Sequence, residues 1–296
     1  MSVPPEILKQ VKGIALRTRG VVDSLFSGEF RSVFSGQGME FAEVRAYEAG
    51  DDFRAIDWNV SARLGAPYVK TFTEERELTL LLVVDQSAST RVGVPVTKAA
   101  RSVEIAAVLA LAGAREQDRV GALLFSDKVE HVVPPAKGRR HALRLIRDLL
   151  AFASARRGTN LLQAIHYASS VLRQRSVVII LSDFLAEGWD KALRELGARH
   201  QVIAITMDDP REASPPSAGW VEMEDAENNR RALVNTSSPK AVRRWQAAVQ
   251  ERRARRADRL RSAGVEHLAL DLDTDYGVVL RRAFAPRRRR HGFRRR

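Results

Sequence analysis

The stretch that decides the fold is "ELTLLLVVDQSAST", residues 77–90. From Leu78 to Val84 it is apolar save for Thr79, and from Asp85 onward it is dominated by oxygen-bearing side chains. A strand covered on one face alternates apolar and polar residues, whereas a strand covered on both is apolar throughout. Residues 77–85 therefore predict a central strand with helices on both sides. Asp85, Ser87 and Ser89 then fall at its carboxyl end, the edge where parallel α/β sheets form their binding crevices.

Working outward, the same texture recurs. "RVGALLFSD" (119–127), "SVVIILSDF" (176–184), "HQVIAITM" (200–207) and "GVEHLALDL" (264–272) read as further strands, and "KVEHVVP" (128–134) as a short edge strand. Between them lie helical segments at 97–117, 139–154, 159–174, 188–199 and 240–262, with a terminal helix at 273–284. In the segment 139–154, Leu143, Ile146, Leu150 and Ala153 share one helical face. Strands alternating with helices predict an α/β fold: a mostly parallel central sheet, doubly wound with flanking helices. Residues 208–239 interrupt the rhythm. "WVEME" and "RALVN" flank "DAENNR" and predict a hairpin insertion. Residues 1–76 lack the long apolar runs and read as an N-terminal extension packed on a main domain at 77–285. It opens with a helical stretch at 4–26, where Ile7, Leu8, Val11, Ile14, Val21, Val22 and Leu25 recur at helical spacing.

The formal charge of +13 is concentrated. Residues 287–296 hold seven arginines and no acid, and residues 240–262 hold nine bases against two acids. Together these carry +14, which leaves the rest of the chain at −1. The expectation is a near-neutral fold with one basic helix and a disordered basic tail at 286–296. Solvated arginines account for this pattern. An anionic protein, a peripheral membrane contact or a nucleic acid are the binding alternatives, nucleic acid being the least favoured.

Several classes fall away. There is no cysteine, so disulfides, thiolate metal sites and thiol nucleophiles are excluded. The opening "MSVPPEILKQ" lacks the apolar core of a signal peptide, and no apolar run has the length of a membrane span, so a cytoplasmic protein is expected, with the inner membrane face as the site its basic segments allow. There is no Gly-x-Ser-x-Gly turn, no Walker A loop and no dinucleotide fingerprint after the first strand. The six histidines are scattered. No catalytic residue is assigned.

The hydroxyls and carboxylates at the strand ends are the candidate site: Asp85, Ser87, Ser89, Thr159 and Asp183. Hard divalent cations take such oxygen ligands and keep some water. Each residue also has an ordinary structural role open to it, Ser87 and Ser89 in a turn and Thr159 as a helix cap. Taken together, they predict either an Mg²⁺ site, with Mn²⁺ or Ca²⁺ as substitutes, or a set of loop caps.

"DQSAS" (85–89), Thr159 and Asp183 resemble the metal-ion-dependent adhesion site of von Willebrand factor A domains. The resemblance implies a parallel sheet with one antiparallel edge strand, serine and threonine hydroxyls on a metal, aspartates ligating it or holding its waters, and a partner's carboxylate completing the shell. Ser182 is a neighbour of that set. "RAYEAGDDFRAIDWNVSAR" (45–63) resembles the DUF58 hallmark "REYxxGDDxRxIDWxxSAR", with Ala46 in place of the acid. "FSGQGMEF", "VKTFTEERE" and "DAEN" resemble the same family, although Asn229 stands where glycine is common. That resemblance implies a protein-interaction module, an adaptor beside a MoxR-type AAA+ ATPase.

Residues 47–65 admit three readings. Asp51, Asp52 and Asp57 alternate with Arg54 and Arg63 and predict a network of paired charges, anchored by Trp58, with Gly50 at a tight turn and Tyr47 and Ile56 packed. A partner-binding surface and a metal-dependent hydrolytic site are the alternatives.

Overall fold

The computed structural model describes residues 5–26, 40–48, 50–73, 78–91, 93, 95–152, 154–224, 226–227 and 229–284. The expected tail at 286–296 lies outside the described residues, as does Ala153. The chain divides into two units, residues 1–34 with 78–296, and residues 35–77. The extension expected over 1–76 is therefore not one piece. Its first helices, α1 (Pro5–Arg17) and α2 (Arg19–Phe26), group with the main sheet because Val11, Ile14 and Val22 are buried in that unit's core.

The smaller unit is a hairpin with a helix in its connection. Strands β1 (Glu40–Ala46) and β2 (Tyr68–Thr73) pair antiparallel. Between them run a 3₁₀ turn at Phe53–Ala55 and α3 (Trp58–Leu64), which ends at Gly65 in the left-handed region, φ 74°. Glycine closes a helix this way without a Cβ clash.

The larger unit holds a six-stranded sheet. Its strands are β3 (Thr79–Asp85), β4 (Arg119–Phe125), β5 (Val129–Ala136), β6 (Val177–Leu181), β7 (Gln201–Asp208) and β10 (Glu266–Asp271). The order is β10-β7-β6-β3-β4-β5, parallel throughout except for β5, which runs antiparallel at the edge. The expected mostly parallel central sheet is present. Side chains of a strand alternate faces, and β3 divides accordingly. Leu80, Leu82 and Val84 enter one core with α2, α4 (Lys98–Arg115), α5 (Arg139–Ala151) and α10 (Tyr276–Ala283). Leu81 and Val83 enter the other with α6 (Leu161–Val171), α7 (Asp190–Arg199) and α9 (Pro239–Ser262). Fully burying one such side chain contributes roughly 1.5–3 kcal/mol, so a strand buried on both faces anchors both layers.

Three details depart from the sequence expectation or refine it. On α5, Ala142, Leu145 and Leu149 face the sheet, while Leu143, Ile146 and Leu150 meet Val11 and Ile14 of α1. Helix α10 approaches α2 so closely that a Cβ on Gly277 would lie 2.8 Å from Val21 Cγ2. The expected insertion contains a short helix α8 (Pro210–Ala213) and an antiparallel hairpin of β8 (Trp220–Glu224) and β9 (Arg231–Asn235). Asn229 at its tip has φ 57°, the left-handed conformation that glycine and asparagine tolerate best.

Candidate functional site

Because β3, β6, β7 and β4 run parallel, their carboxyl ends share one edge. Asp85 ends β3 there and is fully buried. Its Oδ1 accepts from the Ser87 amide at 2.9 Å and its Oδ2 from Ser182 Oγ at 2.6 Å. Ser87 Oγ lies 3.1 Å from Ser89 Oγ, and Thr90 Oγ1 donates to the Ser87 carbonyl, closing a 3₁₀ turn over Ala88–Arg91. The Ala88 amide donates to the Arg157 carbonyl at 3.0 Å, which ties this loop to the segment carrying Thr159. The Asn160 amide donates to the Ser126 carbonyl at the end of β4. Asn160, not Thr159, caps α6, accepting from the Gln163 amide. The structural role expected of Thr159 is thus taken by its neighbour, and Thr159 Oγ1 instead donates to Glu227 Oε1 at 2.5 Å.

Asp183 follows β6. Its Oδ1 accepts from the Leu185 amide at 3.1 Å. Its Oδ2 is buried and has no hydrogen-bond partner, as is also true of Gln86 Nε2 beside Asp85. A buried polar atom without a partner costs on the order of 1–3 kcal/mol, so Asp183 Oδ2 is a site where a ligand would be stabilising. Burial first, and then the charge of Asp183, push Asp85 up to about 7, against the hydrogen bonds from Ser182 and Ser87. A second buried carboxylate nearby disfavours ionisation of Asp85, and a bound cation would relieve that repulsion. The donor set of two carboxylates and three hydroxyls is all hard oxygen, which fits Mg²⁺ or its relatives. Among the described residues no three His, Cys, Asp or Glu side chains stand together as a metal cluster. The hydroxyls are therefore an essential part of any such site.

Several participants escaped the sequence reading. Arg256 of the basic helix α9 is buried. It donates to the Asp183 carbonyl at 3.1 Å and to Asp208 Oδ2 at 2.6 Å. Arg253 lies 3.6 Å from Asp208, and Arg259 forms a two-pronged pair with Asp190 while stacking on Trp189, 4.3 Å from the ring centre. This face of α9 is thus held against β7 and α7 by paired arginines, with Arg256 the buried one. The spacing Val249, Arg253, Arg256, Leu260 is a helical stripe, and that periodicity was the available signal. Glu227 lies 68 residues from Thr159, and the signal for it was its place in "DAEN", residues 225–228, not any local spacing.

Within the 35–77 unit, the acids take different roles from those expected. Asp51 makes a two-pronged bond to Arg45 at 2.7 and 2.8 Å, and this bond holds its carboxyl below the usual range. Asp52 caps the 3₁₀ turn and Asp57 caps α3, accepting from the amides of Asn59 and Val60. Capping, and not pairing with Arg54 or Arg63, explains their spacing. Trp58 is 71% exposed, so it is no anchor, while Tyr47 stacks on Phe53 at 5.7 Å.

A family model for proteins of unknown function, DUF58, matches residues 43–255. The chain belongs to the DUF58 family. Uncharacterized protein Rv1480 of Mycobacterium tuberculosis is 32% identical over 290 residues, covering 96% of this chain and 91% of the relative, and Uncharacterized protein Mb1516 of Mycobacterium bovis gives the same figures. Among solved structures, the conserved hypothetical protein BatB of Bacteroides thetaiotaomicron aligns with TM-score 0.46 and 13% identity, over 69% of this chain and 96% of that one. A von Willebrand factor type A protein from Catenulispora acidiphila aligns with TM-score 0.38 and 11% identity, over 73% of this chain and 42% of that one. At such scores neither alignment decides fold or function. Among the described residues of this DUF58 protein, no helix is long and apolar enough to cross a membrane.

Proposed function

We propose that this DUF58 protein is a metal-dependent protein-interaction module with a von Willebrand factor A-like sheet, and that Asp85, Ser87, Ser89, Thr159 and Asp183 hold an Mg²⁺ ion at its carboxyl edge. The observation that carries the reading is Asp183 Oδ2, buried without a partner beside the fully buried Asp85. The strand order, with one antiparallel edge strand, is in keeping with it. The cation, when bound, supplies a positive centre for an incoming carboxylate. Ser182 holds Asp85 through a bond to its Oδ2, and Arg256 fixes the Asp183 backbone. With two formal negative charges from the protein, a divalent ion is neutralised, and a partner's acid gains by replacing neutral water in a partly dry crevice.

The partner class proposed is a MoxR-type AAA+ ATPase, for which this protein would be the adaptor. The carboxylates of residues 51–57 are engaged as caps and in the Arg45 pair, which gives a hydrolytic site there no support. The test is calorimetric titration of a purified MoxR-type ATPase into the intact protein, with Mg²⁺ and with chelator, alongside Asp85→Ala. Binding that requires both Mg²⁺ and Asp85 is expected. Equal binding in all arms rejects metal-dependent recognition.

A further inference from the structure

The hairpin of β8 and β9 is the least buried part of the larger unit that is still ordered into strands. Trp220 is 67% exposed and Leu233 64%. Its other face, with Val221, Met223 and Val234, is only half-buried, and a two-stranded hairpin is marginal by itself, so the contacts made at its tip help to fix where it sits. Those contacts converge on one place. Glu227 Oε1 accepts from Thr159 Oγ1, Asn229 Oδ1 accepts from the Arg157 guanidinium, and Glu224 lies 3.9 Å from the same guanidinium. The Arg157 carbonyl in turn receives the Ala88 amide, within the loop of Ser87 and Ser89. The insertion begins after β7, whose parallel pairing places its end at the same sheet edge.

The chemistry of the Thr159 bond is informative. A threonine hydroxyl has one proton and two lone pairs. Here the proton goes to Glu227, which leaves the oxygen's lone pairs as the part able to face a cation. A carboxylate that orients a ligand in this way also raises its basicity. Asp183 Oδ2, buried and without a partner, is the independent sign that the edge is built for a further group.

We propose that Glu227 is a positioning carboxylate for the candidate metal centre, carried on the hairpin as a latch: through the bond it accepts from Thr159 Oγ1 it turns that hydroxyl's lone pairs toward the cation without joining the ligand set. This rests on the metal reading above. It goes further by naming a residue outside the strand-end set and by making the 220–235 hairpin the element whose position depends on the cation.

The experiment uses the full chain and Mn²⁺ alone as probe. Free Mn²⁺ is followed by electron paramagnetic resonance for the unmodified protein, Glu227→Gln and Asp85→Ala. Amide hydrogen exchange across residues 220–235 is measured with and without Mg²⁺. The expectation is that Glu227→Gln weakens Mn²⁺ binding roughly tenfold or more, and that Mg²⁺ slows hairpin exchange in the unmodified protein but not in Asp85→Ala. The exchange arm needs no change at Glu227, so it stands even if that variant folds poorly. If Asp85→Ala abolishes Mn²⁺ binding while Glu227→Gln binds as well as the unmodified chain and hairpin exchange ignores Mg²⁺, the latch is overturned and the metal site survives. If the unmodified protein binds no Mn²⁺, the metal reading itself fails, and the latch with it.

Discussion

The protein places its acids in two contrasting settings. At the carboxyl edge of the large sheet, Asp85, Asp183 and Asp208 are buried. In the 35–77 unit, Asp51 and Asp57 are half-buried and Asp52 is exposed. The electrostatic consequence has opposite signs. Burial and a like charge push Asp85 up to about 7, while the guanidinium of Arg45 pulls Asp51 down. The acids of the small unit have their hydrogen bonds supplied by the chain itself, as caps and a two-pronged ion pair. Those of the large unit leave Asp183 Oδ2 without a partner. An acidic motif is thus architectural where its oxygens are satisfied, and it points to a ligand where a buried oxygen is not. Both motifs looked equally rich in the sequence.

The sharpest way to break this contrast is Arg256→Ala. Removing one member of a buried pair leaves Asp208 with only the more distant Arg253, 3.6 Å away, and unfolding in urea should show a loss of about 3 kcal/mol. A loss under about 1 kcal/mol would mean that the edge is far wetter than its burial implies. Next in size is Asp57→Ala, which removes the cap of α3. It should cost about 1 kcal/mol, read as faster amide exchange over residues 58–64, with Mn²⁺ affinity unchanged. A change in metal binding there would erase the distinction between the two acidic regions.

pH separates the regions further. A carboxyl raised in the folded state contributes stability that is present below its unfolded value and lost as pH rises through its folded one. In chelator, Asp85 should therefore make the protein progressively less stable from about pH 4 to above pH 7, and Asp183→Asn should flatten that slope by removing the neighbouring charge. Thermal melts across this range check it, with Mg²⁺ expected to restore stability at the alkaline end. Asp51 behaves in the opposite sense. Its contribution is present above its unfolded value of 3.8 and fades only in stronger acid. The smallest effect is expected for Phe53→Ala and Trp58→Ala. Both side chains are 71% exposed, so each change should shift stability by no more than about 0.5 kcal/mol. A larger shift would show that these rings are covered in solution.

Local periodicity and local chemistry were legible in the chain without the fold. The unbroken apolar run of residues 78–84 required a strand buried on both faces, and β3 feeds both cores. The edge strand at 129–136 and the hairpin at 220–235 were legible from alternation and turn residues, and the strand-end positions of Asp85 and Asp183 followed from where the apolar runs stop. The tertiary structure decided everything that depends on a distant partner. The face of α5 carrying Leu143, Ile146 and Leu150 meets α1, because the sheet is covered by the adjacent stripe of the same helix. Arg256 is buried because Asp208 and the Asp183 carbonyl lie beneath α9, although its neighbours along the chain are basic. Asp52 and Asp57 turned out to be caps because free amides at two short helical turns outcompeted the arginines beside them in sequence. Glu227 meets Thr159 across 68 residues of chain. Helix and strand periods are set by a backbone whose geometry repeats every few residues, so a single sequence reveals them. Contacts between elements depend on which faces the packed core leaves facing each other, and that is decided only when the whole sheet has formed.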